Sequence, residues 1–277
     1  MQYSSRGWVR GSELVADMAA VQQGIGCATT AVLTSARRGS TNEEVESMSI
    51  PSSHHNGRIK LAVLDMAGTT VREDGVVEHA VAVAVRRVRA ALPDDFDECF
   101  RRSRGASKLA MLAGLLGGDT AAAARAHDYF EQELISAIQD GRITAIAGAA
   151  DALDQLRRAG VKTALITGFS GSVRTRLLES LGWTDAADLT LSPEDAGRGR
   201  PHPDLILTAL MRLHIDAVDQ VAVVGDTRND LVAGTRAGAR IVAGVLTGAH
   251  DRETLASAPH THLIDNVADF PRLVGAP

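Results

Sequence analysis

From Arg58 onward the chain switches repeatedly between two apolar patterns. Continuous apolar runs of strand length occur at Ile59–Asp65, Val161–Thr167, Asp188–Leu191, Gln220–Gly225 and Arg240–Leu246. Unbroken runs of this kind suit strands covered on both faces. Between them, apolar residues recur at helical spacing over Ala149–Ala159, Ser172–Leu181, Pro203–Leu213 and Asp230–Ala237. Gly160, Gly182 and Gly238 mark helix ends, where a left-handed residue can close the last turn. Strand and helix in alternation predict an α/β fold with a parallel sheet and helices on both faces. The pair Asp74-Gly75, set between Thr70-Val71 and Val76-Val77, predicts a tight hairpin.

The alternation lapses between residues 78 and 147. Helical periods at Val81–Leu92, Ser107–Leu116 and Thr120–Asp140 follow one another without strands. They predict an all-helical cap domain inserted into a core made of 58–77 and 148–277, able to keep water from the chemistry below. The apolar stretch Val81–Val88 would also permit a homodimer, although a helix facing its own core has the same pattern.

Residues 1–57 differ from the rest. They hold a short amphipathic stretch, Glu13–Gln23, then a run rich in Ser, Thr, Gly and Arg. The linker-like Ser52-Ser53-His54-His55-Asn56-Gly57 follows. The expectation is a poorly ordered extension outside the catalytic unit, with Met48 as a natural start. The N-terminal peptide of natively produced protein decides that point.

Composition narrows the function. The chain has 277 residues, 45% hydrophobic and 23% charged, enough for a buried core and unlike a disordered chain. A net charge of -5 gives no electrostatic case for nucleic acid or an anionic membrane. Cys27 and Cys99 are the two cysteines and show no metal-type spacing. No run approaches the roughly 18–20 apolar residues of a membrane span, and no signal-type stretch opens the chain. A cytoplasmic protein is expected.

Four polar clusters fall at predicted strand ends, where open parallel sheets bind ligands. They are Asp65, Thr167-Gly168, Gly199-Arg200-Pro201 and Gly225-Asp226-Thr227-Arg228-Asn229-Asp230. Each alone reads as a turn, a cap or a solvated charge. Together they suit phosphoryl transfer. Asp65 can attack phosphorus. Asp226 and Asp230 are hard oxygen ligands for Mg²⁺. Thr167 and the Gly168 amide can bond phosphoryl oxygens, and Arg200 can offset charge on the transferring group. His202 reads as a loop residue.

This set resembles the haloacid dehalogenase superfamily over about residues 59 to 275, a group with a Rossmann-like core. Asp65-Met66-Ala67-Gly68-Thr69-Thr70-Val71 and Gly199-Arg200-Pro201 are similar to motifs of its phosphonatase group, the phosphonoacetaldehyde hydrolases and their relatives. That group carries Ala67 where phosphatases carry an acidic Asp. The resemblance implies Asp65 as nucleophile. It also implies Mg²⁺ held by Asp65, the Ala67 carbonyl and Asp226, with Asp230 in support. Thr167 and Arg200 would bind the phosphoryl group, with Ala67, Thr69, Gly105, Lys108 and Gly168 also facing substrate. Arg104-Gly105-Ala106-Ser107-Lys108 resembles the phosphonatase cap loop and sets Lys108 at the place of its Schiff-base lysine. Met66 and Met111 depart from the group, which has Trp and His there.

Three readings remain open. One is phosphonatase-like removal of a phosphoryl group from a small organophosphorus metabolite, up to true phosphonoacetaldehyde hydrolysis with Lys108 as Schiff base. A second is a small-metabolite phosphatase that replaces the acid missing at Ala67, with Lys108 binding the anionic substrate or merely exposed. The third is a non-catalytic phospho-ligand binder.

Overall fold

A computed structural model describes residues 58–276. The expectations for residues 1–57 lie outside the described residues.

The first strand, β1 (Leu61–Asp65), is buried at every position. A short β2 (Val71–Arg72) follows. Four helices come next: α1 (Val76–Val88), α2 (Phe96–Arg102), α3 (Lys108–Leu115) and α4 (Thr120–Gln139). Then β3 (Thr144–Ala145) pairs antiparallel with β2. The chain continues through α5 (Ala149–Arg158), β4 (Lys162–Ile166), α6 (Gly171–Leu181), β5 (Leu189–Leu191), α7 (Pro193–Ala196), α8 (Asp204–Arg212) and β6 (Val221–Gly225). It ends with α9 (Arg228–Ala237), β7 (Ile241–Val245), α10 (Arg252–Ala256), β8 (His262–Ile264) and α11 (Phe270–Leu273).

Six strands form one parallel sheet in the order β5-β4-β1-β6-β7-β8. Alternate side chains of β1, β4 and β6 feed two cores. Ala62, Leu64, Leu165, Ala222 and Val224 pack on one face. Leu61, Val63, Ala164, Ile166, Val221 and Val223 pack on the other, against Leu205, Ile206 and Ala209 of α8 and Ala233 and Ala237 of α9. Burial on both faces explains why these strands read as unbroken apolar runs. The chain leaves β1 toward β4 and leaves β6 toward β7, so the sheet's switch point lies between β1 and β6. A crevice forms outside the carboxyl ends at such a point, and Asp65 and Asp226 stand at its two sides.

The predicted hairpin does not form. Asp74 and Gly75 do turn, with φ of 37° and 80°, but Val76 begins α1 and β2 pairs with β3. Val77, Val81, Ala84 and Val85 share one helical face and are buried. Burying that face outweighs the β preference of valine, and the Glu73 carboxylate accepts the Val77 amide at 2.9 Å in the first turn. The face proposed above for a dimer belongs to the same internal core as Phe130 and Leu134 of α4. The helical layer runs from Val76 to Gln139. No helix among the described residues is long and apolar enough to cross a membrane.

Candidate active site

Asp65 is delivered by β1 and is 3% exposed. The chain then turns sharply, because the amides of Thr69, Thr70 and Val71 all donate to the Met66 carbonyl, at 2.7 to 3.2 Å. The Ala67 carbonyl takes no part in that turn, and Ala67 lines the cavity beside Asp65. Gly68 makes the turn with φ of 90°, and any side chain there would overlap the Asp226 carboxylate. Gly248 is constrained by the same carboxylate.

Asp226 ends β6. One carboxylate oxygen accepts the Ala249 amide at 2.6 Å, and the other accepts the Thr69 hydroxyl at 3.4 Å. Thr69 is fully buried, bonds Asp226 and stands outside the cavity lining. Asp230 lies in the first turn of α9, where it forms a capping box with Thr227. Its other oxygen accepts a hydrogen bond from Arg200. The same Arg200 nitrogen donates to Asp65 at 2.5 Å, while its Nε is buried without a partner.

These groups make a tense electrostatic cluster. Carboxylate oxygens of Asp65, Asp226 and Asp230 lie within 4.8 Å of one another, all buried. Burial pushes Asp65 up to about 6; Arg200 opposes the rise and Asp230 adds to it. Burial, then the Asp65 and Asp230 charges, hold Asp226 well above the usual carboxylate range. Burial works against the Arg200 charge, but Asp230 and Asp65 outweigh it. Arg200 bonds two of the three carboxylates. A small divalent cation, which favours a few carboxylate oxygens, fits this donor set.

Thr167 follows β4; its hydroxyl accepts the Phe169 amide at 3.1 Å. The Gly168 carbonyl accepts the Lys108 amide at 3.2 Å, which ties the start of α3 to the core. The residues before α3 press closely on the sheet edge. A side chain on Gly105 would overlap Thr227, and one on Gly168 would overlap the Ala106 carbonyl. Asn229 donates to the Arg104 carbonyl at 2.6 Å. This seating sends Lys108, 7% exposed, into the cavity. Its ammonium lies 5.4 Å from the Phe169 ring centre. Burial first, and then the Arg200 charge, lower Lys108 to about 8 against the pull of Asp65.

One small cavity, about 30 Å³, thus borders Asp65, Ala67, Gly105, Lys108, Thr167, Gly168, Arg200 and Asp226. Sequence reasoning singled out all eight. It missed the apolar wall of Val77, Phe100 and Phe169, and it missed Glu73. Those residues carry no motif; helices α1 and α2 bring Val77 and Phe100 here, Glu73 lies just before α1, and Phe169 lies in the loop after β4.

The site and fold together define a class. The haloacid dehalogenase-like hydrolase profile matches residues 59–238, and the chain belongs to that family of hydrolases. It is 33% identical over 129 residues to the "Probable phosphatase IndB" of Dickeya dadantii, 47% of this chain and 54% of that protein. It is 31% identical over 125 residues to the phosphonoacetaldehyde hydrolase of Parabacteroides distasonis, 44% of this chain and 46% of the relative. The chain therefore spans about half the length of these curated relatives. In fold it is similar to the crystal structure of a hydrolase from Pseudomonas syringae. That match has a TM-score of 0.68 at 22% identity and covers 78% of this chain and 98% of the other.

Proposed function

We propose that the protein is a Mg²⁺-dependent, phosphonatase-like hydrolase that transfers a phosphoryl group from a small organophosphorus metabolite to water through an aspartyl-phosphate on Asp65. The observation that carries this reading is the cavity shared by Asp65 and Lys108, with alanine at position 67. The helices from Val76 to Gln139 act as the cap.

Asp65, the Ala67 carbonyl and Asp226 would hold the metal, with Asp230 in support by fixing Arg200 and the start of α9. Bound Mg²⁺ would shield the approach of a carboxylate to an anionic phosphoryl group and polarise that group. Thr167 and Arg200 hold the phosphoryl oxygens, and the buried site strengthens each contact. An Asp65 oxygen forms a bond to phosphorus while the bond from phosphorus to the leaving atom breaks.

Alanine at 67 provides no acid for an ester oxygen. Lys108 offers chemistry that needs none. Its amine, eased toward the free base by burial, condenses with a substrate carbonyl and releases water. The electron pair of the breaking P–C bond then moves into the iminium, giving an enamine. Protonation at carbon and hydrolysis return the carbonyl product and the amine. Water hydrolyses the aspartyl-phosphate to inorganic phosphate and Asp65.

The test is a Mg²⁺-dependent time course on phosphonoacetaldehyde and on carbonyl-bearing phosphonates of similar size, following phosphate and carbonyl product together. Matched release is expected, with borohydride inactivating the enzyme only in the presence of substrate. Lys108→Arg keeps the charge and cannot form the imine. If it keeps most of the activity, Lys108 is a binding cation. Turnover of alcohol phosphates without P–C cleavage points to a phosphatase. Full activity in Asp65→Asn refutes the reading altogether.

A further inference from the structure

We infer that the cavity contains a second anion subsite centred on Arg104, so that the substrate is an organophosphorus acid whose leaving portion bears a carboxylate. This rests on the phosphoryl-transfer reading above and is independent of whether a P–C or P–O bond breaks.

The observation is an imbalance between the two sides of the cavity. On the sheet side, the Arg200 charge is met by Asp65 and Asp230. On the helical side, two cations enter without an equivalent answer. Lys108 makes no ion pair among the described residues, and its ammonium rests on the Phe169 ring face. The Arg104 guanidinium lies 5.0 Å from the centre of the Phe100 ring. Its side chain donates no hydrogen bond among the described residues, and its one ion pair, to Glu73, is 3.6 Å long.

Glu73 is a weak partner for a structural reason. Its other oxygen is held by the Val77 amide at 2.9 Å, in the first turn of α1, where a helix start favours negative charge. The carboxylate is therefore drawn toward the helix, and the planar donor fork of Arg104 is left unfilled. That fork matches a carboxylate in geometry and charge.

The backbone of Arg104 is not free to drift. Its carbonyl accepts the Asn229 side chain at 2.6 Å, and neighbouring Gly105 is seated against Thr227. Arg104 is thus aimed by the same α9 turn that carries Asp230. There is also space for a substituent. Arg104 and Glu73 separate the 30 Å³ cavity from a cleft of about 160 Å³ bordered by Gly68, Arg72 and Thr247. A phosphoryl group at Asp65, with its carbon portion between Phe100 and Phe169, would present a terminal carboxylate to Arg104.

The experiment compares two unreactive ligands of equal size, phosphonoacetate and 2-methylpropylphosphonate, by calorimetry in the presence of Mg²⁺. Inorganic phosphate is measured alongside. The wild-type protein is expected to bind phosphonoacetate about tenfold to a hundredfold more tightly, the range of a charge-assisted hydrogen-bonded pair. Arg104→Met keeps the stem on Phe100 and should erase the preference while leaving phosphate affinity unchanged. Arg104→Lys should keep part of it.

Equal wild-type affinities for the two ligands overturn the inference, as does a preference that survives in Arg104→Met, which would assign it to the metal. If the methionine variant does not fold, Arg104→Lys decides: a reduced preference supports the subsite, and an undiminished one assigns it to the metal and overturns the inference. Phosphate binding separates the levels. If phosphate binds and phosphonoacetate gains nothing, the subsite is wrong and the phosphoryl site stands. If phosphate itself fails to bind the wild type, both fall.

Discussion

Replacing Lys108 with methionine should stabilise the protein while removing its activity, and the gain should depend on pH in a defined way. Lys108 ordinarily titrates near 10.5 and is lowered to about 8 in the folded chain, first by burial and then by Arg200. The folded state therefore disfavours the ammonium. A fall from 10.5 to about 8 corresponds to about 3 kcal/mol. Below pH 8 both the folded and the unfolded chain hold the proton, so the whole cost is present. Between pH 8 and 10.5 the unfolded chain binds more protons than the folded one, and stability rises with pH. Above 10.5 the cost is gone.

Methionine fills a similar volume without charge. Urea unfolding of both proteins at pH 7, 8, 9 and 10 measures the gap. Lys108→Met should lead by up to about 3 kcal/mol at pH 7, with the lead shrinking from pH 8 upward. Other groups titrating at high pH cancel in the difference. A gap that does not change with pH, or a wild type that is the more stable at pH 7, refutes the reasoning.

The carboxylate cluster makes further predictions. Mg²⁺ should raise the melting temperature strongly at pH 7.5 and weakly at pH 5, because Asp65, raised to about 6, takes up its proton as pH falls through that value; an equal shift at both pH values would remove Asp65 from the metal site. Asp65→Asn should abolish phosphate release and raise the stability of the metal-free protein, since it deletes one charge from a buried group of three; thermal melts with and without Mg²⁺ check this. Gly68→Ala should cost activity at least a hundredfold, because its side chain must displace Asp226. The matched Gly75→Ala, at a φ of 80° and facing open space, should cost about 1–2 kcal/mol for its backbone alone and retain turnover. Asn229→Ala should loosen the Arg104–Lys108 segment, seen as faster protease cleavage there, with kcat falling more than KM rises.

Much of the site could be read from the chain because it is built from strand ends. Asp65, Thr167 and Asp226 each follow an apolar run, and parallel topology alone brings such residues to one edge. Other parts followed rules the sequence does not display. Val76 and Val77 look like a strand after a turn, yet they start a helix whose buried face is visible only once α4 is in place. Helix α2 was missed because it is one short element in a charged stretch, anchored by Phe96 and Phe100. Strand β8 has three residues at the sheet edge, too few to show a period. The partner of Glu73 depends on where α2 and α3 place Arg104, and no spacing in the sequence reports that distance.

The position of β1 also bears on how the protein is made. Its two sheet neighbours, β4 and β6, both come much later in the chain. Asp65 meets Arg200 across 135 residues, and Thr69 meets Asp226 across 157. Among the described residues, the strand that leaves the ribosome first is the one that must wait longest for its second partner. Long-range pairings of this kind fold slowly and leave apolar edges open meanwhile. The alanine-rich α4 and its neighbours, which lie between, can pair locally while the rest is still being synthesised. On this topology, a nascent chain halted before Val221 holds a helical layer and half a sheet, with the central apolar strand exposed along one edge. Early termination should therefore yield aggregates or chaperone-bound chains, and the cluster of Asp65, Asp226 and Asp230 is incomplete until synthesis has passed Asp230.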